Sequence, residues 1–365
     1  MGFTCGIVGL PNVGKSTLFN AITAAGAEAA NYPFCTIDPN IGVVAVPDGR
    51  IDRLVEIYKP PKVTATTIEF LDIAGLVKGA SKGEGLGNQF LSHIRNVDAI
   101  AHIVRCFDDP NVIHVDGSVD PKRDIEVIET ELILKDLDTV EKKLGDAERR
   151  SRGNDKDARA EANLYDGVRT HLTGGRLAGY CDVSGDKEQL WFRDLHLLTA
   201  KPVMYVCNVH EKEIGKGNSY VDQVREIAAR ESAKIVVVSA AVEAEVAELA
   251  ENERAHFLED LGLKESGLNQ VIREGYDLLH LITFLTAGPK EVRAWTVEKG
   301  STAPQAAGQI HSDFEKGFIR AEVMRFADLD RLGSELAVKE QGLLAVEGRE
   351  YVIQDGDVVF FRFNV

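Results

Sequence analysis

The stretch that decides the fold is Gly9-Leu10-Pro11-Asn12-Val13-Gly14-Lys15-Ser16, with Thr17 directly after it. It matches the pattern G-x-x-x-x-G-K-[ST] at every position, and it lies between an apolar segment (3–8) and a segment of helical character (16–25). The glycines of this pattern let backbone N–H groups curl around phosphate oxygens, and the following helix adds the positive end of its dipole. The sequence therefore predicts a phosphate-binding loop for a nucleoside triphosphate, in preference to an ordinary glycine-rich turn.

Four polar side chains are candidates for binding the phosphates and a magnesium ion. Lys15 is expected to reach the β- and γ-phosphates, a contact that serves catalysis as well as binding, and the Ser16 hydroxyl is expected to bind Mg²⁺. Thr36 lies in a loop-like stretch (31–39) and is the natural hydroxyl to reach the γ-phosphate and the metal. Asp72 ends an apolar segment and begins a D-x-x-G pattern, so it is expected to hold Mg²⁺ through water. The alternatives are an ordinary turn residue for Thr36 and a structural carboxylate for Asp72.

Composition and charge exclude several classes of protein. The 365 residues include 42 basic and 58 acidic side chains, a formal charge of −16, which argues against a surface that coats nucleic acid as a whole. No segment approaches the roughly 20 apolar residues of a membrane-spanning helix, and the N-terminus lacks the features of a secretory signal. The five cysteines are dispersed and odd in number, which argues against a disulfide framework or a zinc knuckle. We therefore expect a cytoplasmic protein with free thiols and no contact with membranes.

Alternating apolar and helical segments predict an α/β fold. Six segments rich in Val, Ile and Phe are predicted strands: 3–8, 42–46, 67–71, 100–106, 203–207 and 234–239. Helical patterns at 16–25 and 87–96 lie between the earlier strands. Nearly continuous apolar strands separated by helices favour a mainly parallel sheet that is covered on both faces.

A helical pattern interrupts the strands for almost a hundred residues after the fourth one. Apolar residues recur at helical spacing in two segments, which a polar turn at 151–155 separates: Ile133, Leu137, Val140 and Leu144, then Leu164, Val168 and Leu172. This pattern predicts a helical hairpin inserted in the nucleotide-binding domain. The alternative is that these helices simply cover the sheet.

The last 85 residues or so have a different character. An apolar run at 278–285 is followed by a short helix candidate at 302–310, capped by Ser301 or Thr302 ahead of Gln305. The segment 352–361 is predicted to form two strands around an Asp-Gly turn. Strands that bracket one helix indicate a small α+β domain.

The motifs together resemble those of the YchF (Obg-like ATPase) family, within the translation-factor class of P-loop GTPases. The resemblance covers essentially the whole chain, and the segments that carry it are 9–17, 31–40, 72–77, 114–121 and 208–211. It implies three domains: a P-loop nucleotide-binding domain, an inserted helical domain, and a C-terminal TGS domain with a ubiquitin-like β-grasp fold. The corresponding ranges are 1–124 with 196–277, 125–195, and 278–365.

The base-binding motif departs from that of ordinary GTPases. Asn208-Val209-His210-Glu211 stands where those proteins have N-K-x-D, so the lysine is missing and the acid is one methylene longer. Losing the short acceptor for the guanine donors can cost on the order of 1–3 kcal/mol, which by itself indicates only weakened guanine selectivity. The resemblance further implies ATP as the preferred substrate. It places Asn208 and Val209 at the adenine and Ser239 in the loop that closes the base pocket, with Asn12, Val13, Gly14, Lys15, Ser16 and Thr17 around the phosphates.

The catalytic residue also differs from the common pattern. Leu76 occupies the position after D-x-x-G where many GTPases have a water-orienting glutamine. The resemblance assigns this role to a histidine on a mobile loop, which matches His114; a structural histidine is the alternative. It also implies that Asn12 helps to hold a potassium ion between the phosphates, beside Mg²⁺.

The resemblance implies the ribosome, on its large subunit, as the partner. Residues 142–152 have a net charge of +3, whereas residues 280–365 have a net charge of −3. The basic tip of the predicted hairpin is therefore the candidate for RNA contact, and a solvated helix end is the alternative. Its four candidate residues are Lys142, Lys143, Arg149 and Arg150. We expect a monomeric ATP hydrolase that acts as a slow switch; the alternatives are a conventional GTPase and a nucleotide-dependent binding module with negligible turnover.

Overall fold

The structure is a computed structural model that describes residues 3–28, 40–73, 86–153 and 155–364. Its first sheet has six strands in the order β2-β4-β1-β5-β6-β7. Their bounds are β1 (Thr4–Val8), β2 (Ile41–Ala45), β4 (Thr67–Asp72), β5 (Ala99–Arg105), β6 (Val203–Asn208) and β7 (Lys234–Val238). Only β2 is antiparallel to its neighbour, so the predicted mainly parallel sheet is confirmed.

Helices cover both faces of this sheet, as the continuous apolar strands predict. All seven residues of β5 are buried, because the strand lies in the middle of the sheet between two helical layers. The helices of this part are α1 (Lys15–Glu28), α2 (Gly49–Tyr58), α3 (Leu86–Asn96), α7 (Ser219–Glu231), α8 (Ala240–Glu248), α9 (Glu251–Asp260) and α10 (Gly267–Leu278). No helix in the described ranges is both long and apolar enough to cross a membrane.

The helical hairpin consists of α4 (Pro121–Ser151) and α5 (Lys156–Thr173), followed by α6 (Asp186–Arg193). The first turns of α4 pack on the sheet through side chains such as Ile128, whereas later turns pack on α5 through side chains such as Val140. The predicted apolar positions therefore form a helical hairpin, and only the first turns of α4, outside the predicted pattern, cover the sheet. α4 crosses residue 125, where the sequence places a domain boundary.

A buried carboxylate fixes α4 to the chain that enters β6. Asp136 accepts hydrogen bonds from the backbone N–H groups of Leu198 and Thr199, both at 2.8 Å, and from the Thr199 hydroxyl. These bonds satisfy a charge that would otherwise be costly to bury. The hairpin is thus attached at its base to the central sheet.

The C-terminal sheet has the order β11-β10-β12-β8-β9-β3. Its strands are β3 (Val63–Thr64), β8 (Leu281–Ala287), β9 (Val292–Glu298), β10 (Phe318–Arg325), β11 (Ala345–Glu347) and β12 (Asp357–Phe363). The helices are α11 (Ala303–Ile310), α12 (Ser312–Lys316), α13 (Phe326–Leu332) and α14 (Glu335–Glu340). Parallel β8 and β12 lie side by side, and α11 packs its alanines on the apolar cluster of the sheet, the arrangement of a β-grasp domain. β3, which comes from the N-terminal part of the chain, adds a sixth strand.

One prediction for this domain is correct and one is wrong. Thr302 and Gln305 form the predicted capping box of α11. The segment 352–361, however, does not form a hairpin: only β12 is a strand, and Val352 makes a single bridge to Thr302. The physical reason is that the turn is held by other elements, since the Asp355 carboxylate accepts from the N–H of Thr283 at 2.9 Å.

Candidate nucleotide-binding site

The phosphate loop, residues 9–17, connects β1 to α1 at the carboxyl end of the sheet. Gly9 allows a close approach, because a Cβ there would lie 2.8 Å from the Ile103 carbonyl oxygen. Gly14 has a φ of 94°, and a Cβ on it would overlap the side-chain amide of Asn208. Glycine is therefore required at both positions of the motif, since any side chain would clash with a neighbouring atom. Ser16 and Thr17 are exposed on this loop.

Asn208 positions the phosphate loop from the neighbouring strand end. Its Nδ2 donates to the Val13 carbonyl at 2.9 Å, and its Oδ1 accepts from the Ala240 N–H at 2.9 Å. The residue is buried, so it joins the loop, the end of β6 and the start of α8. One N–H of its amide remains for a ligand, because Nδ2 carries two hydrogens. The predicted base-binding residue is thus also a structural link.

Lys15 and Asp72 form an ion pair through Nζ and Oδ1. The pair arises because β4 lies beside β1 in parallel register, with Asp72 opposite Ile7. Sequence analysis assigned Lys15 to the phosphates and Asp72 to the magnesium ion, and the structure brings these two side chains together. The Asp72 carboxylate and the Ser16 hydroxyl offer the oxygen donors that Mg²⁺ prefers, so this donor set fits the ion. Thr36 and Leu76 lie outside the described residues.

Two cavities meet at the phosphate loop. The phosphate cavity, of about 400 Å³, is lined by residues of the loop itself. The base cavity, of about 440 Å³, shares Asn12, Gly14 and Thr17 with it. The base cavity is also lined by residues that sequence analysis placed at the adenine: Asn208, Val209 and Ser239. Together the two cavities have the extent and polarity that a nucleotide needs.

Sequence analysis missed one wall of the base cavity. This wall includes Phe107, Asp109 and Val112, in the segment that follows β5. Arg105 holds the segment in place: its guanidinium donates to the Val112 carbonyl at 2.9 Å and lies 4.7 Å from the Phe107 ring centroid. The available signal was position, because ligands bind at the carboxyl ends of parallel strands and this segment begins at such an end.

His210 and Glu211 also line the base cavity. The rings of His210 and Phe107 lie 5.1 Å apart with a tilt of 58°. The His210 ring is also 2.9 Å from the Asp108 carbonyl through Nε2, so it is fixed against the missed wall. The residues that replace N-K-x-D therefore line the base cavity, and their contact with the base stays a prediction.

A larger cavity, of about 990 Å³, lies between the two sheets. Its lining includes Arg50, Tyr276 and Asp355, and it contains none of the residues that sequence analysis assigned to the nucleotide. Volume alone would favour this cavity, whereas the chemistry of a triphosphate favours the pair around the phosphate loop. We assign the nucleotide to the latter because its donors match.

His114 does not line either of the two nucleotide cavities. Its side chain is buried, with Nε2 2.9 Å from the Asp124 carboxylate. The preceding residue, Ile113, nevertheless contacts the phosphate loop, since Asn12 Nδ2 donates to the Ile113 carbonyl at 3.0 Å. The catalytic role of His114 stays a prediction.

The four basic residues of the hairpin are exposed on α4, but they differ in their surroundings. Arg149 forms an ion pair with Asp146, and Arg150 forms one with Glu161. These contacts partly neutralise the arginines, so much of the positive field of the tip comes from Lys142 and Lys143.

Comparison with known proteins identifies relatives along the whole chain. The family model YchF-GTPase_C, described as "Protein of unknown function (DUF933)", matches residues 281–364. A second family model, described as "50S ribosome-binding GTPase", matches residues 4–143. The protein named ribosome-binding ATPase YchF from Escherichia coli O157:H7 is 57% identical over 365 residues and covers 100% of both chains. Its namesake from Bacillus subtilis is 55% identical over 367 residues, again with 100% of both chains covered.

A solved structure also matches almost the whole chain. It is titled "Structure of the Schizosaccharomyces pombe YchF GTPase" and has 41% sequence identity to the present chain. The match covers 99% of this chain and 98% of the other, with a TM-score of 0.89. Sequence and fold therefore agree on the same group of proteins.

Proposed function

The chain belongs to the YchF family, and from this premise we propose that it is a ribosome-binding ATPase that hydrolyses ATP slowly as a nucleotide switch. The observation that carries the proposal is the pair of cavities joined at Gly14, one with the donors for a triphosphate and one lined by the altered base motif. The names of the bacterial relatives support both the substrate and the partner.

The phosphate loop and Asp72 bind the triphosphate and its magnesium ion in this proposal. Lys15, which pairs with Asp72 in this structure, would bind the β- and γ-phosphates, while Ser16 and Thr36 would provide oxygen ligands for Mg²⁺ and Asp72 would hold the ion through water. When bound, Mg²⁺ would supply positive charge that offsets the negative charge of the triphosphate. The Asn12 side-chain oxygen would be the ligand for K⁺, because the Asn12 Nδ2 already donates to the Ile113 carbonyl.

The base motif supports ATP over GTP. Val209 is buried and cannot donate or accept through its side chain, and Glu211 carries its carboxylate one methylene farther than the aspartate of N-K-x-D. A conventional GTPase is the second candidate, because one matching family model and the yeast structure are both described as GTPases. Calorimetric titration with both nucleotides separates the two candidates.

We expect ATP to bind at least about tenfold more tightly than GTP, the effect of losing one or two well-placed hydrogen bonds. The double variant Val209→Lys, Glu211→Asp restores N-K-x-D and should narrow this ratio by raising GTP affinity. Equal affinities for ATP and GTP in the wild-type protein would contradict the ATP assignment.

Hydrolysis is assigned to His114 as the residue that orients the attacking water. The motif supports this role, as does the contact of the His114 loop with Asn12. A binding module without turnover is the remaining alternative. Phosphate release that stays at the uncatalysed rate with Mg²⁺, K⁺ and ribosomes present would favour that module.

The finer features of the partner and of the domains are part of the same proposal. We place the ribosome contact on the large subunit, at the basic hairpin tip, and the protein in the cytoplasm as a monomer. We divide the chain into a nucleotide-binding domain, a helical domain and a TGS domain, with the ranges 1–124 with 196–277, 125–195 and 278–365. Separate apolar clusters in the first sheet, the hairpin and the C-terminal sheet support this division.

A further inference from the structure

His114 is held by hydrogen bonds at both ring nitrogens. The Asp116 N–H donates to Nδ1 at 3.1 Å, so the ring hydrogen belongs on Nε2. Nε2 then donates to Oδ2 of Asp124 at 2.9 Å, and both side chains are 3% exposed. In this position neither nitrogen is available to a water molecule at the nucleotide.

The burial pattern of this loop is the reverse of the usual one. Counted over whole residues, Ile113 is 79% exposed and Val115 is 54% exposed, whereas His114 between them is 7% exposed. Isoleucine and valine are ordinarily buried, and histidine is intermediate. Exposure of these aliphatic side chains costs hydrophobic free energy. A rotated loop that buries them would recover this free energy, which favours a second arrangement of the loop.

The Asp124 carboxylate has a second partner that remains if the histidine leaves. Arg123 Nη2 donates to Oδ1 of Asp124 at 3.1 Å and also contacts the Ser118 carbonyl. A buried carboxylate left without any partner would be strongly destabilised. Because Arg123 stays, His114 can depart without leaving a fully unpaired charge.

We propose that Asp124 is a positioning residue that holds His114 away from the nucleotide cavities, and that the His114–Asp124 hydrogen bond must break in each catalytic cycle. This inference rests on the proposed role of His114 in hydrolysis. Asp124 lies in the first turns of α4, the same helix that carries the basic hairpin tip. A ligand that displaces the start of α4 would therefore act directly on this bond.

The test is steady-state hydrolysis of ATP by the full-length variant Asp124→Asn, with Mg²⁺ and K⁺ present. Asparagine keeps the shape but replaces a charged acceptor with a neutral one, so the bond that holds His114 is weaker. We expect kcat to rise about fivefold, the factor that separates hydrogen bonds to charged and neutral acceptors. The KM for ATP should not change, because no nucleotide contact is altered.

Two further measurements distinguish positioning from a general structural effect. The same substitution in a His114→Ala background should leave kcat unchanged, since no histidine remains to be released. Hydrogen exchange at the Asp116 amide should become faster in Asp124→Asn, because this N–H donates to His114. The matched control is Asp136→Asn, another buried carboxylate on α4, which should lower thermal stability without raising kcat.

Several outcomes would overturn the proposal. An unchanged kcat in Asp124→Asn, or unchanged exchange at the Asp116 amide, would show that Asp124 does not restrain the histidine. A kcat as low as that of His114→Ala would show that Asp124 supports the histidine in its catalytic position instead. Wild-type turnover in His114→Ala would remove the proposed function of His114 and this inference together, whereas a slow His114→Ala with no gain in Asp124→Asn removes the inference alone. Should the asparagine variant not fold, Asp124→Ser removes the same acceptor and gives the same test.

Discussion

The phosphate loop (9–17) and the His114 loop (112–118) touch each other but are built in opposite ways. The phosphate loop is fixed by its backbone and by Asn208, and it exposes the Ser16 and Thr17 side chains toward the cavities. The His114 loop buries the side chain that is assigned to chemistry and exposes the aliphatic ones beside it. Under the proposed role of His114, the phosphate loop would bind a nucleotide as folded, whereas hydrolysis would require a rearrangement. Four predictions test this contrast, from the largest effect to the smallest.

Lys15→Ala tests whether binding depends on the phosphate loop as it stands. We expect ATP affinity to fall about 100-fold or more, because the variant removes the charged donor to two phosphate groups. Isothermal titration calorimetry measures the loss. The matched control is Lys62→Ala, an exposed lysine paired with Glu291, which should bind normally. Tight ATP binding by Lys15→Ala would contradict the assignment of the loop.

His114→Ala tests the other side of the contrast. We expect kcat to fall about 100-fold while ATP affinity stays nearly constant, because an orienting group acts mainly in the transition state. Single-turnover hydrolysis and calorimetry measure the two quantities separately. His311→Ala, at an exposed histidine of the C-terminal domain, is the control and should retain wild-type turnover. A parallel loss of affinity and rate would instead indicate a structural role for His114.

Reversing charges on α4 tests whether the helix that carries Asp124 also meets the ribosome. We expect Lys142→Glu, Lys143→Glu to weaken ribosome co-sedimentation about tenfold and to reduce its salt dependence, with ATP affinity unchanged. Arg149→Glu, Arg150→Glu should have a smaller effect, because acidic neighbours already neutralise these arginines.

The control for this experiment reverses the same number of charges on another helix. Arg225→Glu, Arg230→Glu on α7 changes the net charge equally, and Arg225 has an acidic partner as Arg149 does. Equal losses in the α4 and α7 variants would indicate an effect of total charge only. No loss in any α4 variant would move the search for the contact to the C-terminal domain.

Glu129→Gln tests the electrostatics of α4 near its base. The Tyr205 hydroxyl lies 3.1 Å from the Glu129 carboxylate and 2.6 Å from that of Glu231, and it can donate to only one of them at a time. Burial, together with the Glu231 carboxylate, raises the pKa of Glu129 to about 7. The folded state therefore binds this proton more tightly than the unfolded state does, so stability falls as pH rises from the unfolded pKa toward about 7.

The glutamine variant cannot titrate, so it should not show this loss. We expect Glu129→Gln to gain about 1–2 kcal/mol of unfolding free energy relative to wild type between pH 5, near the start of the titration window, and pH 8, about one unit above its end. Urea unfolding at the two pH values measures it. Glu126→Gln, an exposed glutamate on the same helix, should show no such gain. A pH-independent difference would mean that Glu129 does not titrate in this range.

Local pattern predicted much of the binding apparatus. The G-x-x-x-x-G-K-[ST] motif depends on neighbouring backbone positions, so its sequence fixes its conformation, and the strand and helix around it follow from short-range periodicity. The segment that replaces N-K-x-D was recognised for the same reason, because it directly follows a predicted strand. The hairpin predicted at 352–361 does not form. Asp355, the aspartate of the local Asp-Gly signal, instead accepts a hydrogen bond from the backbone of a strand 72 residues away.

The sequence by itself determined the phosphate loop, the parallel sheet, the helical hairpin and the replacement of N-K-x-D. Each of these depends on contiguous residues or on an apolar periodicity of two to four positions. The tertiary structure decided the rest. It paired Lys15 with Asp72 and placed the segment that Arg105 holds as a wall of the base cavity. It also added β3 to the C-terminal sheet and placed His114 against Asp124. The physical reason is that these contacts depend on which strand ends and helix starts become neighbours in space, and residues far apart in the chain carry no local sign of that proximity.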